Sequence, residues 1–189
     1  MEARDCSDSG LDGVNGLTSA GKSPELPHHA LNRPVRLAVC GAGEAEGGLE
    51  SLAHGLGVAV AAAGAVLICG GLGGVMAAAA RGASEAGGLT LGVLPGTDPG
   101  SANPWIALPL PTGMGEARNT LVVRFADAVI AVGGGWGTLS EIALARKIGI
   151  PVVLLGPGPA AGMGLVTSDD PADAVQRALQ LAGATSPPR

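Results

Sequence analysis

Aromatic side chains are almost missing from this 189-residue chain: Phe125, Trp105 and Trp136 are the whole set, and there is no tyrosine. Proteins that hold single-stranded nucleic acid stack successive bases on aromatic platforms, and so few rings cannot build one. Basic charge is equally short, with 11 Lys and Arg against 16 Asp and Glu, for a net charge of −5. A nucleic-acid backbone calls for a basic face, so no nucleic acid polymer is expected as a partner. Histidine occurs only at His28, His29 and His54, and cysteine only at Cys6, Cys40 and Cys69. Neither set has the spacing of a zinc site, and no Ser–His–Asp arrangement can be assembled, so no metal ligands are expected. The opening MEARDCSDSG is acidic and polar without an apolar run, which predicts no secretory leader and a reduced, cytoplasmic setting. The uncharged stretch 55–80 is broken by seven glycines and otherwise rich in alanine. It reads as buried helices, strand and loops rather than a membrane span.

Glycine, by contrast, is abundant: 33 residues of 189, well above the usual fraction of roughly 7%. Hydrophobic residues make up 47% and charged residues 14%, enough apolar material for a packed core despite the glycine and proline content. Residues 1–33 lack periodicity and predict a flexible tail, and 184–189 a C-terminal fray. Between them, over 34–183, apolar runs alternate with helical spacing. Strands are predicted at Val35–Cys40, Ala65–Cys69, Leu89–Leu94, Ala128–Val132 and Val152–Leu155, with a further short one at Trp105–Leu108. Helices are predicted at Gly48–Ala63, Gly74–Gly87, Glu116–Phe125 and Thr138–Ile148, and a last one opens at Asp170 as N-cap with Pro171 in its first turn. Short apolar strands alternating with helices predict a single-domain α/β fold: a doubly wound, Rossmann-like parallel sheet of five or six strands with helices on both faces.

In such sheets ligands bind beyond the carboxyl ends of the strands. Three glycine-rich loops end strands here: Gly41-Ala42-Gly43, Gly70-Gly71-Leu72-Gly73-Gly74 and Gly133-Gly134-Gly135-Trp136-Gly137-Thr138. Each leads toward a helix N-terminus, where free N–H groups favour an anion, so a phosphate-bearing small molecule is the expected ligand. None of the loops has the dinucleotide or P-loop form, which points to a mononucleotide or nucleoside phosphate. Thr138 and Glu141 share one face at a helix start. Their spacing is first that of a capping box, and after it that of a threonine and a carboxylate facing a ligand. Arg118 stands near a helix N-terminus, where a cation is unfavourable unless a ligand or solvent compensates it. Asn119 beside it offers hydrogen bonds to a base or shapes the turn. Trp136 is exposed by its glycine neighbours, free to stack on a base or to enter a subunit contact. Cys40 and Cys69 read as small buried apolar residues, His54 as a partly exposed helix residue, and Glu44 and Glu46 as weaker polar candidates.

The segments GGLGGVMAAAARGASEAGG, LGVLPG and RNTLVVRFADAVIAVGGGWGTLSE resemble the LOG family of the SLOG superfamily, often labelled "possible lysine decarboxylase". The similarity runs from about Val35 to Leu155 and is nearest to the DprA/Smf-related branch, which also resembles molybdenum cofactor carrier proteins. Arg118 and Glu141 fall on the two functional positions of the family's enzymes, which cleave the N-glycosidic bond of nucleoside 5′-monophosphates as dimers without a required cofactor. Gly133 stands where that family has proline, and Asn119 where lysine is common. The resemblance implies a phosphoribohydrolase with Arg118 and Glu141 catalytic. Its nucleotide-binding residues would be Gly41, Gly43, Gly70, Gly71, Gly73, Gly74, Met114, Asn119, Gly134, Gly135, Trp136, Gly137 and Thr138. The alternative it leaves open is a non-catalytic binder or carrier of a nucleotide or a phosphorylated pterin-type cofactor. Either way a homodimer is expected.

Overall fold

The computed structural model describes residues 33–44, 48–158 and 160–185. Nearly all of the expected tail, with Cys6, His28 and His29, lies outside the described residues, as do Glu46 and residues 186–189. Seven strands form one parallel sheet: β1 (Arg36–Gly41), β2 (Val66–Cys69), β3 (Thr90–Leu94), β4 (Leu108–Pro111), β5 (Ala128–Val132), β6 (Val152–Leu155) and β7 (Val166–Ser168). Their order across the sheet is β4-β3-β2-β1-β5-β6-β7. The central strands are apolar at every position because both faces are covered: β5 reads Ala-Val-Ile-Ala-Val and is buried throughout. Its register against β1 pairs Leu37 with Ala128 and Gly41 with Val132. At the amino end Asp127 holds that register, accepting from the Arg36 backbone N–H at 2.9 Å and from its guanidinium at 3.1 Å.

Helices α1 (Leu49–Ala62), α2 (Gly74–Glu85) and α5 (Pro171–Thr185) cover one face, and α3 (Asn119–Phe125) and α4 (Trp136–Lys147) the other. The start of α5 is as the sequence predicts, with the Asp170 carboxylate accepting from the Asp173 N–H at 2.8 Å. The doubly wound architecture is likewise as expected. Three details differ. The strand expected at Trp105–Leu108 lies three residues later, because Trp105 is held in a loop by hydrogen bonds from Thr90 Oγ1 to its carbonyl and from its N–H to Asn103 Oδ1. The helix expected over Glu116–Phe125 divides into a 3-10 turn, Gly115–Arg118, and α3. The seventh strand, Val-Thr-Ser, is too short and too polar to register as an apolar run. Among the described residues, no helix is long and apolar enough to cross a membrane.

The β4 edge carries its own protection. The Thr112 N–H bonds the Leu94 carbonyl, so residues 108 and 110 also turn their peptide groups toward β3, and Pro109 and Pro111 face outward. Proline has no N–H to offer a further strand, so this edge is a poor template for pairing.

Packing of α1 on α2 depends on two glycines. A Cβ at Gly57 would overlap the Ala79 carbonyl, and one at Gly82 would overlap the His54 carbonyl. We therefore expect Gly57→Ala, although it raises helix propensity, to lower the unfolding free energy by about 1–3 kcal/mol through overpacking. Urea unfolding of the two proteins checks this; an unchanged or raised midpoint would show that the two backbones are not in forced contact.

Candidate functional site

The chain leaves β1 toward one sheet face, into α1, and leaves β5 toward the other, into α4. Adjacent strands whose loops diverge open a crevice at their carboxyl ends. A cavity of about 220 Å³ occupies that crevice. Cys40 and Gly41 of β1 form its floor, with Gly70 beyond the end of β2, Met76 of α2, and Thr138 and Glu141 of α4 around it.

Arg118 enters from the 3-10 turn ahead of α3. It is 6% exposed, which is rare for arginine. Glycine at residue 70 makes room for its guanidinium in this position: a Cβ there would overlap the guanidinium nitrogens and displace them. The Nε of Arg118 is buried without a hydrogen-bond partner among the described residues. An unmet buried donor on a cation is unfavourable by itself and suits a site that an anion completes.

The N-terminus of α4 faces the same cavity. The capping box expected of Thr138 and Glu141 does not form. The helix begins two residues earlier, at Trp136, its N-cap is Gly135, and no side chain caps it. Thr138 is therefore the third helical residue. The intrahelical ladder begins with the Leu139 N–H bonding the Gly135 carbonyl at 3.0 Å. The N–H groups ahead of it belong to Trp136, Gly137 and Thr138, the usual place for an anion at a helix start. The shift follows from Gly134, whose φ of +106° admits glycine alone with ease and which lies against the Thr138 side chain. A Cβ at Gly43 or Gly137 would meet nothing within 4 Å, so at these two positions of the cavity wall packing gives no reason for glycine, whereas a ligand lying close to the backbone does.

Glu141 is 7% exposed and looks into the cavity from the second turn of α4. Burial raises its carboxyl from the ordinary range to about 7; the Cys40 thiol and the Arg118 charge pull the other way, and Glu116 adds to the rise. Cys40 is pushed well above the ordinary thiol range by burial and by the Glu141 charge, and Cys69, also by burial, up to about 11. Both thiols are therefore protonated and unreactive at neutral pH. They lie on opposite sides of the sheet, Cys69 in the core under α1 and α2 and Cys40 in the core under α3 and α4.

Of the residues singled out from the sequence, Gly41, Gly43, Gly70, Arg118, Asn119, Gly137, Thr138 and Glu141 line this one cavity. The rest stand outside its lining. Gly71 packs on Leu94, Gly74 on the Ala42 carbonyl, and Gly73 beside the Gly43 carbonyl; Met114 and Trp136 are exposed, Trp136 at 88%. Cys40, Met76, Leu72 and Glu116 also line the cavity. Of these, Cys40 carries a sequence signal, as the residue before the first glycine loop at a strand end. His54 is partly exposed as expected and bonds Glu85 at 2.8 Å. Among the described residues no group of three His, Cys, Asp or Glu side chains could hold a metal ion.

Fold and cavity together define a Rossmann-like α/β protein with a pocket at the topological switch point. Residues 34–183 match the model of the SLOG cluster4 family, and the chain belongs to that family. An uncharacterized protein from Archaeoglobus fulgidus is 43% identical over 141 residues, covering 75% of this chain and 92% of its own length. Solved structures that share both fold and sequence include two molybdenum cofactor proteins. The molybdenum cofactor binding protein of Rippkaea orientalis is 34% identical, with a TM-score of 0.75, over 79% of this chain and 98% of its own. The molybdenum cofactor carrier protein of Chlamydomonas reinhardtii is 38% identical, with a TM-score of 0.72, over 80% and 99%. DNA processing protein A of Helicobacter pylori, at 20% identity and a TM-score of 0.63, shares the fold alone.

The Glu141 carboxyl links protonation to stability. Its folded value, about 7, lies above its unfolded value of 4.5, so its contribution is full below pH 4.5 and is lost as pH rises through 7. Between pH 5 and 9 the unfolding free energy of the wild type should fall by about 3 kcal/mol relative to Glu141→Gln, which has nothing to ionise. Parallel pH–stability curves for the two proteins would sink this account.

Proposed function

We propose that the chain binds the phosphate-bearing end of a phosphorylated pterin-type cofactor or nucleotide in the Arg118 cavity and carries it as cargo. The observation that carries this reading is the buried Arg118 Nε with no acceptor. Gly43 and Gly137 leave open backbone beside it, and the uncapped start of α4 lies at the same cavity. A phosphate there accepts from the guanidinium and from the N–H groups of Gly137 and Thr138, and Asn119 adds a neutral donor where a lysine would add charge. The names of the two relatives that are 34% and 38% identical over nearly their whole length support a pterin-type cargo.

Burial raises the Glu141 carboxyl to about 7, so its neutral form is present at neutral pH, and an anion bound beside it raises that share. A neutral carboxyl donates a hydrogen bond to the ligand, which suits holding it. In cleavage the same form is a poor stabiliser of positive charge at the sugar carbon but a competent acid toward the leaving base. The second reading, a phosphoribohydrolase, is favoured by one observation: Arg118 and Glu141 face the same cavity.

One preparation separates the two. Wild-type protein mixed with molybdenum cofactor released from a molybdoenzyme should retain pterin fluorescence through gel filtration, and Arg118→Gln should retain at least tenfold less. Parallel incubation with a panel of nucleoside 5′-monophosphates should return them intact. Free base released by the wild type and lost in Glu141→Gln would establish the hydrolase instead, and no retention by the wild type would overturn the carrier.

A further inference from the structure

We propose that the ligand runs on from the Arg118 cavity into a second groove along α2, and that this groove takes a second nucleoside, making the natural ligand a dinucleotide-type molecule. The proposal rests on the reading of the Arg118 cavity as the site of the first phosphate.

Size is the first reason. About 220 Å³ is less than the roughly 300–1,000 Å³ of pockets that enclose a whole small molecule. A groove of about 360 Å³ adjoins it, and Gly43 belongs to the walls of both. Since a side chain at Gly43 would have open space on every side, the glycine leaves the passage between the two clear.

The groove's chemistry is the second reason. Its floor is smooth, made by Gly74, Ala77 and Ala78, and one wall is Trp105. The Trp105 backbone is tied at both ends, to Thr90 and to Asn103, which fixes the point from which the half-buried indole forms the groove wall. A planar base stacks on such a ring. Arg81, Glu44 and Glu50 complete the lining. Arg81 is ion-paired with Glu50 at 3.7 Å and with Glu85 at 4.0 Å; both pairs are longer than a hydrogen bond, so a phosphate competes with these carboxylates for the guanidinium donors. The Glu50 carboxylate, in the first turn of α1, lines the groove where it can accept from ribose hydroxyls. A stacking ring, a hydroxyl acceptor and a guanidinium are the groups a nucleoside with its phosphate uses.

Binding of GMP and of diguanosine 5′,5′-pyrophosphate to the full chain, measured by calorimetry, tests this. The dinucleotide should bind about tenfold tighter than GMP, the factor one stacked base supplies. Trp105→Ala and, independently, Arg81→Gln should bring it down to the GMP affinity while leaving GMP unchanged, and Arg118→Gln should weaken both ligands. Trp105→Phe, which keeps a ring, should retain most of the difference. Equal affinities in the wild type, or a difference that survives both groove variants, overturns the extended site while leaving the Arg118 cavity standing. Binding that ignores Arg118→Gln overturns the first-phosphate reading, and absence of binding by either probe overturns the proposal. Light scattering on Trp105→Ala closes the remaining route: a lost dimer with unchanged ligand affinities would assign the groove to a second copy of this chain.

Discussion

Placing a guanidinium nitrogen in the interior with no acceptor is unfavourable, and Arg118 does so where β1 and β5 send their loops to opposite faces. Several sequence features are consequences of accommodating it. Glycine at residue 70 leaves the guanidinium its place, since a side chain there would displace it. The segment ahead of α3 tightens into a 3-10 turn, which turns residue 118 inward at the point where a continuous helix was expected. The buried carboxyl of Glu141 gains the one nearby cation that limits how far burial raises it. Take the arginine away and the glycine, the turn and the carboxylate have no shared reason to be where they are.

Besides left-handed turns such as Gly134, glycine serves two further ends in this chain. At Gly57 and Gly82 the missing side chain lets two helices approach backbone to backbone, a packing role that any ligand would leave untouched. At Gly43 and Gly137 the built Cβ meets nothing, so packing gives no reason for glycine there. Abundance alone cannot separate these roles, because both look identical as letters. The distinction needs the neighbours in space.

That limit sets how much was legible in the sequence. The sheet was, because strands buried on both faces must be apolar throughout, and runs such as Ala128–Val132 and Val152–Leu155 announce themselves. β7 was not, since Val-Thr-Ser at a sheet edge needs no apolar run. Arg118 and Glu141 were legible as a pair through the family resemblance and through the misfit of a cation at a helix start. The capping box was a false lead for a physical reason. Thr-x-x-Glu fits a helix beginning at Thr138, but the left-handed Gly134 and the N-cap at Gly135 start it at Trp136 and convert both side chains from caps to cavity lining. Cys40 gave a strand-end signal without indicating chemistry, because its importance lies in facing Glu141 from a neighbouring element.

An arginine and a glutamate facing one cavity are compatible with holding a phosphorylated ligand and with cleaving one, so residue identity alone does not separate carrier from hydrolase. The protonation state of Glu141 sets which part it can play. As a stabiliser of positive charge at the sugar the carboxylate must be charged, and as an acid toward a leaving base it must be protonated. Burial works against the charged form, and so does each additional negative group brought near: Glu116 already pushes in that direction, and a bound phosphate adds to it. Asparagine at position 119 adds no charge to oppose that push, so the protonation of Glu141 is left to burial, Cys40, Arg118 and Glu116.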